Sequence, residues 1–433
     1  MSFESLGLPA ALARAVADSG YTQPTDVQLR AIPPAMAGSD LRVSSSTGSG
    51  KTAAFVLPAL NRVLAARGDA SKRRDNKTVH GPRVLVLTPT RELAMQVAKA
   101  TDGYGRHVPG LRVATIVGGV PYHAQLKALR GPLDVLIATP GRLMDHMANG
   151  KAVLANVEML VLDEADRMLD MGFIDDIKHI ASFLPEQRQT LMFSATFAGE
   201  VGQLAKNMLK ADAQTISVST HTSTHENIEQ RLHWADDGKH KHALLEQLLS
   251  GREIDQALVF TSTQRDADWL ADRLAEIGHR VASLHGGMPQ GRRNRVLHGL
   301  RTRDLRVLVA TDVAARGIDV PSISHVINYG LPMKAEDYVH RIGRTGRAGR
   351  AGLAVTLAER RDAGMIQRIQ RFTTQRIPVA TVAGLEPRLP EPREYSAPRA
   401  AAPGKRSGKP FAPRRPQGAG FGHGAPRSAG PRR

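Results

Sequence analysis

The sequence contains no cysteine, and this absence excludes several kinds of chemistry. Disulfides, cysteine-ligated zinc sites and thiol nucleophiles all require that residue. No apolar run approaches the ~18–20 residues that a membrane-spanning helix needs. The first residues, Met1–Ser5, also lack a basic segment leading into an apolar core, so a secretory signal is not predicted. We therefore expect a soluble cytoplasmic protein with no membrane contact.

Aromatic and acidic residues are both in short supply. Phe, Trp and Tyr make up 4% of the chain, and 59 Lys and Arg face 41 Asp and Glu, which gives a net charge of +18. A surplus of that size predicts a polyanionic partner, most often nucleic acid or an acidic membrane surface. Because aromatic residues are few, we do not expect base stacking to dominate binding to a nucleic acid.

Half of the net charge lies at the carboxyl terminus. Residues 395–433 contain nine Lys or Arg, seven Pro, seven Gly and no acidic residue, which leaves a charge of +9 for the rest of the chain. A segment so poor in aliphatic residues cannot bury enough apolar surface to offset the entropy of ordering. We predict a disordered, basic tail and place its boundary at residue 379. The tail either tethers the protein to RNA or only keeps it in solution.

Two series of short apolar segments, separated by longer amphipathic ones, predict an α/β fold. Most of the short segments are rich in β-branched residues, as expected for parallel strands in βαβ units. The first series is 83–88, 113–117, 134–139, 159–163 and 190–194, and the second is 257–261, 281–284, 306–311, 324–329 and 353–357. Residues 213–230, between the two series, are predicted to form a linker. Several of these segments end in Thr and a polar loop, at the end of a strand where parallel sheets bind ligands.

A glycine-containing loop is the strongest local signal. Residues 47–52 read Thr-Gly-Ser-Gly-Lys-Thr. The glycines allow backbone amides to approach phosphate oxygens, Lys51 would reach the β- and γ-phosphates, and the Thr52 hydroxyl would ligate Mg²⁺. The strict pattern has Gly where this chain has Ser45, so on its own the loop also fits a simple turn before a helix.

Acidic and basic residues elsewhere complete a phosphoryl-transfer set. The apolar segment 159–162 runs into Asp163 and Glu164. Asp163 is placed to hold Mg²⁺, and Glu164 to orient or deprotonate the attacking water. Far along the chain, Arg344 and Arg347 are candidate arginine fingers for the γ-phosphate. Hydrolysis would then require the two halves of the chain to close on each other.

The order of these motifs is that of a known family. Further matching segments are 20–28 (GYTQPTDVQ), 89–94 (PTRELA), 118–119 (GG), 139–142 (TPGR), 194–196 (SAT), 311–319 (TDVAARGID) and 340–347 (HRIGRTGR). From about Phe3 to about Phe372, the chain resembles the DEAD-box ATP-dependent RNA helicases, and within them a bacterial RhlE-like branch. Gly330 departs from the Asp that is frequent in the family, which puts one local contact in doubt.

The resemblance implies two tandem RecA-like domains with parallel sheets. The predicted boundaries are 1–29 for an adenine-reading Q motif region, 30–212 for the first RecA-like domain, 213–230 for the linker, 231–378 for the second and 379–433 for the tail. It also implies an ATP site that includes Mg²⁺, held by Thr52 and Asp163. The residues expected to bind ATP are Phe3, Tyr21, Gln28, Ser45, Ser46, Thr47, Gly48, Ser49, Gly50, Lys51, Thr52, Gly317 and Asp319.

The resemblance further implies catalytic and RNA-contacting residues. The residues expected to serve catalysis are Lys51, Asp163, Glu164, Ser194, Thr196, Arg344 and Arg347, with Ser194 and Thr196 coupling hydrolysis to strand separation. The residues expected to contact RNA are Pro89, Thr90, Arg91, Gly118, Gly119, Thr139, Pro140, Gly141, Arg142, Thr261, Arg293, Thr311 and Asp312. Contacts to the RNA backbone carry no base information, so little sequence preference is expected.

The implied function is ATP-driven closure of two domains on single-stranded RNA, which separates short duplexes. The resemblance suggests protein partners from ribosome assembly or RNA degradation. Three alternatives stay open at this point. They are a clamp or remodeller of RNA–protein complexes, a DNA helicase, and a scaffold that binds RNA without catalysis.

Overall fold

The computed structural model describes residues 2–45, 49–68, 80–218, 227–251, 253–315, 318, 320, 322–346 and 350–392. Within these ranges the strands are β1 (Leu41–Ser44), β2 (Val84–Leu87), β3 (Val113–Ile116), β4 (Val135–Ala138), β5 (Met159–Leu162), β6 (Gln189–Ser194), β7 (Gln214–Ser217), β8 (Ile228–Ala235), β9 (Gln256–Thr261), β10 (Val281–Leu284), β11 (Val307–Thr311), β12 (Ile323–Asn328) and β13 (Gly352–Glu359).

Helices connect most of these strands, and a single 3₁₀ turn, Phe3–Leu6, precedes them. The helices are α1 (Ala10–Asp18), α2 (Asp26–Met36), α3 (Lys51–Gly68), α4 (Arg91–Tyr104), α5 (Tyr122–Leu129), α6 (Pro140–Ala148), α7 (Ala165–Asp170), α8 (Ile174–Ser182), α9 (Gly199–Met208), α10 (Gly238–Leu249), α11 (Gln264–Glu276), α12 (Gln290–Arg301), α13 (Asp312–Ala315), α14 (Ala335–Ile342) and α15 (Ala363–Thr373). Among the residues described, no helix combines the length and the apolar character needed to cross a bilayer.

The strands form two parallel sheets with the same topology. The first sheet has the order β3-β4-β2-β5-β6-β1-β7 and the second the order β10-β11-β9-β12-β13-β8. Numbered within its own half, each sheet reads 3-4-2-5-6-1, and the first adds β7 at its edge. The predicted α/β fold with two parallel sheets is therefore confirmed, and the two halves are structural repeats.

The central strands are buried on both faces, which explains their continuous apolar runs. In β2, Val84 and Val86 belong to a core on one face, while Leu85 and Leu87 belong to a core on the other. The second half repeats this alternation along β9. Helices that pack on both faces complete a layered arrangement, and the carboxyl ends of the strands share one edge of each sheet.

Both ends of the segment predicted as a linker are strands. β7 lies at the edge of the first sheet, where Leu41 pairs with Gln214 and Ser44 with Ser217. Of the four residues in β7, only Ile216 is buried. Such an edge strand looks polar in sequence, which is why the apolar pattern does not reveal it. β8 begins at Ile228, and residues 219–226 lie outside the described residues.

The first residues of the segment predicted as a tail pack on the second half. The amide of Leu232 donates to the carbonyl of Pro378, and Leu232 accepts from the amide of Ala380. Farther along, the Asp236 carboxylate accepts the amides of Arg388 and Leu389. Proline-rich composition hides these backbone contacts, so the ordered region extends beyond the predicted boundary. Residues 393–433, which hold most of the predicted tail, lie outside the described residues.

A buried histidine predicts sensitivity to acid. His233 in β8 is 3% exposed, and neither ring nitrogen has a partner within the described part of the chain. Burial, assisted by the nearby Arg231, lowers the pKa of His233 to about 4, against an unfolded value near 6.5. Above pH 6.5 the His233 imidazole is neutral in both the folded and the unfolded protein, so it does not lower stability. As the pH drops toward 4, only the unfolded protein readily takes up a proton there, and the free energy of unfolding falls by about 3 kcal/mol.

Urea denaturation at pH 7 and pH 4.5 measures this effect. Replacing His233 with Leu is expected to reduce the difference in unfolding free energy between the two pH values by about 2–3 kcal/mol. The exposed His298 provides the control, since His298→Leu replaces an imidazole that lies at the surface. Equal pH dependence in wild type and His233→Leu would disprove this role.

Candidate active site and nucleic-acid interface

Most of the predicted site residues follow the carboxyl ends of the parallel strands. In the first half, Ser45 follows β1, Asp163 follows β5, and Ser194 is the last residue of β6. In the second half, Thr261 ends β9 and Thr311 ends β11. One edge of each sheet thus gathers residues that are far apart in sequence, as parallel topology requires.

The glycine-containing loop leads directly into α3. Ser45 is fully buried, and its amide donates to the carbonyl of Ser194 at 3.1 Å. Gly50 has φ of 93°, and α3 begins at Lys51, which is 8% exposed. The helix N-terminus and the lysine together favour an anion at this position. Ser46, Thr47 and Gly48 lie outside the described residues, so their contacts with phosphate stay predictions.

Gln28 holds this loop through its side-chain amide. Its Oε1 accepts the amide of Thr25 at 2.9 Å, and its Nε2 donates to the carbonyl of Gly50 at 3.1 Å. A Cβ at position 50 would lie 2.5 Å from Gln28 Nε2, so both space and positive φ require glycine there. Both ends of the Gln28 amide therefore bind the protein itself, and recognition of adenine by this residue stays a prediction.

The two aromatic residues predicted beside adenine occupy different surroundings. Phe3 is 6% exposed and belongs to the hydrophobic core of the first half. Tyr21 is half exposed, and its ring centroid lies 6.2 Å from that of Tyr104. Tyr21 is thus accessible to a ligand, whereas Phe3 supports the region from inside the core.

Asp163 and Glu164 form a strained turn at the end of β5. The amide of Asp163 donates to the carbonyl of Leu87, and Glu164 has φ of 52°, in the left-handed region. Asp163 is 2% exposed, and its Oδ1 has no hydrogen-bond partner among the described residues. Burial raises the pKa of Asp163 to about 6, while the charge of Lys51 lowers it. A buried carboxylate with a vacant acceptor suits a cation.

Ser194 connects β6 to this turn, and its predicted coupling role stays a prediction. Its hydroxyl accepts the amide of Asp166 at 3.3 Å and donates to the carbonyl of Thr196 at 2.6 Å. The Thr196 hydroxyl in turn accepts the amide of Ala198 at 3.2 Å. Burial raises the pKa of the neighbouring Asp166. Hydrogen bonds thus join the 194–196 segment to the acidic turn.

Helix N-termini line the predicted RNA surface of the first half. Thr90 caps α4 by accepting the amide of Leu93, and Thr139 precedes Pro140, the first residue of α6. Both helices start at carboxyl ends of neighbouring strands, where their free amides can bind phosphate. Pro89 and Pro140 are buried, Gly141 and Arg142 are partly exposed, and Arg142 lies 3.5 Å from Asp145.

Arg91 extends this surface toward the loop after β3. Its Nη1 donates to the carbonyls of Gly118 and Gly119, at 3.3 and 2.9 Å. Gly119 has φ of 71°, and a Cβ there would lie 2.9 Å from Arg91 Nη1. The exposed glycine pair therefore fits closely around the arginine, and the two predicted RNA motifs form one surface.

The second half repeats the same local design. The Thr88 hydroxyl donates to the carbonyl of Thr90, and the Thr261 hydroxyl donates to the carbonyl of Thr263, both at 3.3 Å. Thr263 then caps α11, as Thr90 caps α4. In this structure the Thr261 hydroxyl contacts the protein, so Thr261 supports the adjacent helix N-terminus in addition to its predicted RNA role.

Arg341 is a residue whose importance the sequence does not reveal. It is 2% exposed, and its guanidinium binds both carboxylate oxygens of Asp312, at 2.6 and 2.7 Å, while stacking over the ring of Phe260. It also donates to the side chain of Asn328. Asp312 was predicted to face RNA, and the structure shows that its carboxylate is engaged with Arg341. The flanking Thr311 is buried.

Among the described residues, contacts between basic and acidic side chains join the two halves beside these sites. Arg167 and Asp337 are both buried and lie 2.6 Å apart. His340 Nε2 lies 3.8 Å from Asp166, and Lys334 Nζ lies 2.5 Å from Asp170. Across the RNA-side motifs, Arg293 Nε donates to Glu92 at 2.7 Å. Except for Arg293, sequence reasoning assigned none of these residues a role, because each needs a partner more than 100 positions away.

The predicted arginine fingers fall partly outside the described residues. Arg344 is 6% exposed and donates to the carbonyls of His340 and Ile318, at 3.3 and 3.0 Å. It lies beside Arg341 and Asp337, next to the ion pairs between the halves. Arg347, Gly317 and Asp319 lie outside the described residues, so their predicted roles stay predictions.

Comparison with known proteins decides the family. A DEAD/DEAH box helicase model matches residues 25–204, and a Helicase conserved C-terminal domain model matches residues 240–349. Over 393 residues the chain is 40% identical to the ATP-dependent RNA helicase SrmB of Escherichia coli (strain K12), which covers 91% of this chain and 86% of SrmB. The chain belongs to the DEAD-box helicase family. Its predicted membership is confirmed, while the finer placement in a RhlE-like branch stays a prediction.

Solved DEAD-box structures share the fold. The structure of S. cerevisiae Dbp5 bound to RNA and ADP BeF3 matches with a TM-score of 0.76 and 31% identity, covering 87% of this chain and 95% of Dbp5. Mss116p bound to ssRNA and AMP-PNP matches with a TM-score of 0.76 and 26% identity, covering 88% and 80%. The predicted pair of RecA-like domains is confirmed.

The buried Arg167–Asp337 pair is predicted to hold this DEAD-box helicase closed. Removing one partner leaves the other charge buried, which costs about 3–5 kcal/mol. We expect Arg167→Gln to shift the equilibrium away from the closed state by at least a factor of about one hundred. Since the chain lacks cysteine, Ser182→Cys and Glu276→Cys provide unique labels for energy transfer between the halves.

Energy transfer is measured in the free protein and with single-stranded RNA plus a non-hydrolysable ATP analogue. The control is Arg361→Gln, which removes an arginine that is 76% exposed and pairs with Glu359 within one half. Adding Asp337→Asn to Arg167→Gln is expected to recover part of the closed population, because no buried charge is then left unpaired. A closed population unaffected by Arg167→Gln would show that this pair does not join the halves.

Proposed function

We propose that this chain is an RNA-stimulated ATPase that separates short RNA duplexes or remodels RNA–protein complexes. The observation that carries the proposal is the meeting of the two sheets' carboxyl edges. There Asp166, at the end of the acidic turn, lies near His340 of the other half, and the next residue, Arg167, binds Asp337. A nucleotide bound at α3 would thus contact a turn that is joined directly to the second half. SrmB, a relative of similar length, is named an ATP-dependent RNA helicase.

The residues beside Lys51 fit Mg²⁺. The ion prefers oxygen ligands and is commonly held by one or two carboxylates together with substrate phosphates. Asp163 offers a buried Oδ1 without a hydrogen-bond partner in the described structure, and Thr52 offers a hydroxyl in the first turn of α3. When bound, Mg²⁺ would neutralise charge on the phosphates. The described residues contain no group of three or more His, Asp or Glu that would hold a metal alone, so nucleotide and metal are expected to bind together.

Glu164 is proposed to orient the attacking water. It is 9% exposed, and its left-handed backbone is set by the tight turn between β5 and α7. Its carbonyl accepts the amide of Arg167, the residue that forms the buried pair with Asp337. The position of Glu164 therefore depends on the same turn that joins the halves. This linkage would make hydrolysis sensitive to closure.

RNA is proposed to bind through its backbone across both halves. The α4 and α6 N-termini and Arg91 line the first half, and the capped α11 N-terminus lies at the equivalent position in the second. Such groups bind phosphates and can detect 2′-hydroxyls, which distinguishes RNA from DNA. Little sequence preference is expected. Closure would bend one strand so that a duplex cannot persist, and release of hydrolysis products would free the RNA.

Arg293 takes a different part in this proposal from the one predicted. It is 9% exposed and binds Glu92 and the carbonyl of Ala314, so its guanidinium is engaged by protein. Glu92 lies in the first turn of α4, beside Thr90 and Arg91. We propose that Arg293 links the RNA surfaces of the two halves. RNA bound to one surface would then favour closure.

The cellular setting is also part of the proposal. We place the protein in the cytoplasm, with partners from ribosome assembly or RNA degradation, as the family resemblance suggests. The proposed activity takes one of two forms, duplex separation or remodelling of RNA–protein complexes. Strand displacement on a short RNA duplex distinguishes them, because a clamp would bind RNA with ATP and release no strand.

Replacing Glu164 tests the catalytic assignment. Glu164→Gln keeps the shape of the side chain but removes its ability to accept a proton. We expect RNA-stimulated ATP turnover to fall by about 10²–10⁴-fold, with RNA still held in the presence of ATP. Steady-state ATPase rates and retention of labelled RNA on filters measure the two effects.

Two comparisons sharpen this test. Glu200→Gln, an exposed glutamate in the first turn of α9, should leave both readouts unchanged. Stimulation by RNA and by DNA of the same sequence tests the DNA-helicase alternative. Full RNA-stimulated turnover in Glu164→Gln would contradict the role proposed for Glu164, and absence of turnover in wild type with any polynucleotide would favour a scaffold.

A further inference from the structure

A wide cavity, open to solvent, lies at the opposite edge of the first sheet from the nucleotide site. Its volume is about 640 Å³, and Glu158 and Gln189, at the amino ends of β5 and β6, form part of its wall. A hollow of about 250 Å³ shares Gly38, Arg62 and Glu158 with it. Arg62 lies eleven residues after Lys51 on α3, roughly 16 Å along the helix axis. The cavity is therefore separate from the phosphate loop.

Three cationic side chains from different parts of the chain line this cavity. Arg62 comes from α3, Arg188 from the residue before β6, and Lys210 from the turn after α9. The Nη2 of Arg62 donates a hydrogen bond to Oε1 of the neutral Gln189 side chain at 2.6 Å. Arg188 donates Nη1 to the carbonyl of Pro185 at 2.8 Å. Neutral acceptors thus hold both guanidiniums in place.

The nearby carboxylates are engaged elsewhere. Arg62 Nη1 lies 3.9 Å from Glu158, whose carboxylate forms a shorter ion pair with Arg83. Lys210 Nζ lies 4.0 Å from Asp40. That carboxylate already accepts the backbone amides of Thr190 and Lys210, at 2.8 and 2.9 Å. At these distances Glu158 and Asp40 offset the three positive charges only in part.

Partial burial makes the positive charges of Arg62 and Arg188 less favourable than they would be in water. The Nε of Arg62 and the Nε of Arg188 are both covered, and neither has an acceptor within the described ranges. Burial lowers the pKa of both arginines, although Glu158 and Asp40 partly oppose it. The remaining acidic lining residue, Glu186, is exposed to solvent. An additional anion inside the cavity would therefore be stabilised.

We infer that this cavity binds a phosphate-class oxyanion, either free or as the phosphoryl group of a small metabolite. Two guanidiniums and an ammonium match the several acceptor oxygens of a phosphoryl group better than a single carboxylate would. The volume lies within the range typical of small-molecule sites. Nothing in the proposed ATPase mechanism uses this cavity, so the inference stands apart from that proposal.

Pyrophosphate is the probe, and it is titrated calorimetrically at constant ionic strength. The full chain carries Lys51→Asn, which weakens binding at the phosphate loop. We expect saturable binding at one site. Arg188→Gln in the same background should weaken it by roughly tenfold or more, since it removes charge-assisted hydrogen bonds. Arg130→Gln, at an exposed residue after α5, is the matched control and should leave binding unchanged.

Further ligands and a folding control complete the test. Circular dichroism melting without ligand verifies that Arg188→Gln and Arg130→Gln are folded. If Arg188→Gln is not folded, Lys210→Gln takes its place. Binding of glucose 6-phosphate as well as pyrophosphate would identify a metabolite phosphoryl site, and binding of pyrophosphate alone a free-anion site. Equal binding in Arg188→Gln and the parent, equal loss in Arg130→Gln, or equal affinity for citrate would each overturn the inference.

Discussion

The contact between the two RecA-like domains depends on buried charge. Arg167 and Asp337 lie in the wall of that contact, with Asp166 and His340 beside them. Removing charged groups from water is costly, and their attraction in the interior only roughly offsets that cost. An interface built from ion pairs can open at modest cost, which suits the proposed cycle in which the halves close on RNA and reopen.

The acidic turn and the interface share the same short segment. Four consecutive residues, Asp163 to Asp166, run from the end of β5 into α7, and Arg167 follows at once. Ser194 binds this segment from β6 through the amide of Asp166. Because so few bonds separate the candidate metal ligand from the ion pair with the second half, the turn cannot respond to a nucleotide without affecting the interface. Short covalent distance, rather than a long pathway, accounts for the proposed coupling.

The sequence predicts the central strands and the local motifs well, because each is a signal within a few residues. β2, β4 and β5 are continuous apolar runs, and the glycine-containing loop and the 163–166 turn are contiguous. β7 and the segment that begins at residue 379 were not predicted, since a strand at a sheet edge and a backbone held by Asp236 have no apolar pattern. The contacts of Arg341 and Arg293 were not predicted because their partners are distant in sequence. Asp312 is 29 positions from Arg341, and Glu92 is 201 positions from Arg293.

A tension between stability and function is visible at Asp163. A carboxylate that is 2% exposed, and whose Oδ1 has no hydrogen-bond partner in the described part of the chain, is unfavourable in the free protein, and burial raises its pKa to about 6. The left-handed backbone of Glu164 adds strain at the next residue. A cation supplied with the nucleotide would relieve the first of these costs, so binding energy becomes available at the turn that joins the halves. The two unfavourable features lie where a ligand can compensate them, and the well-packed cores on both faces of the sheet tolerate them until it binds.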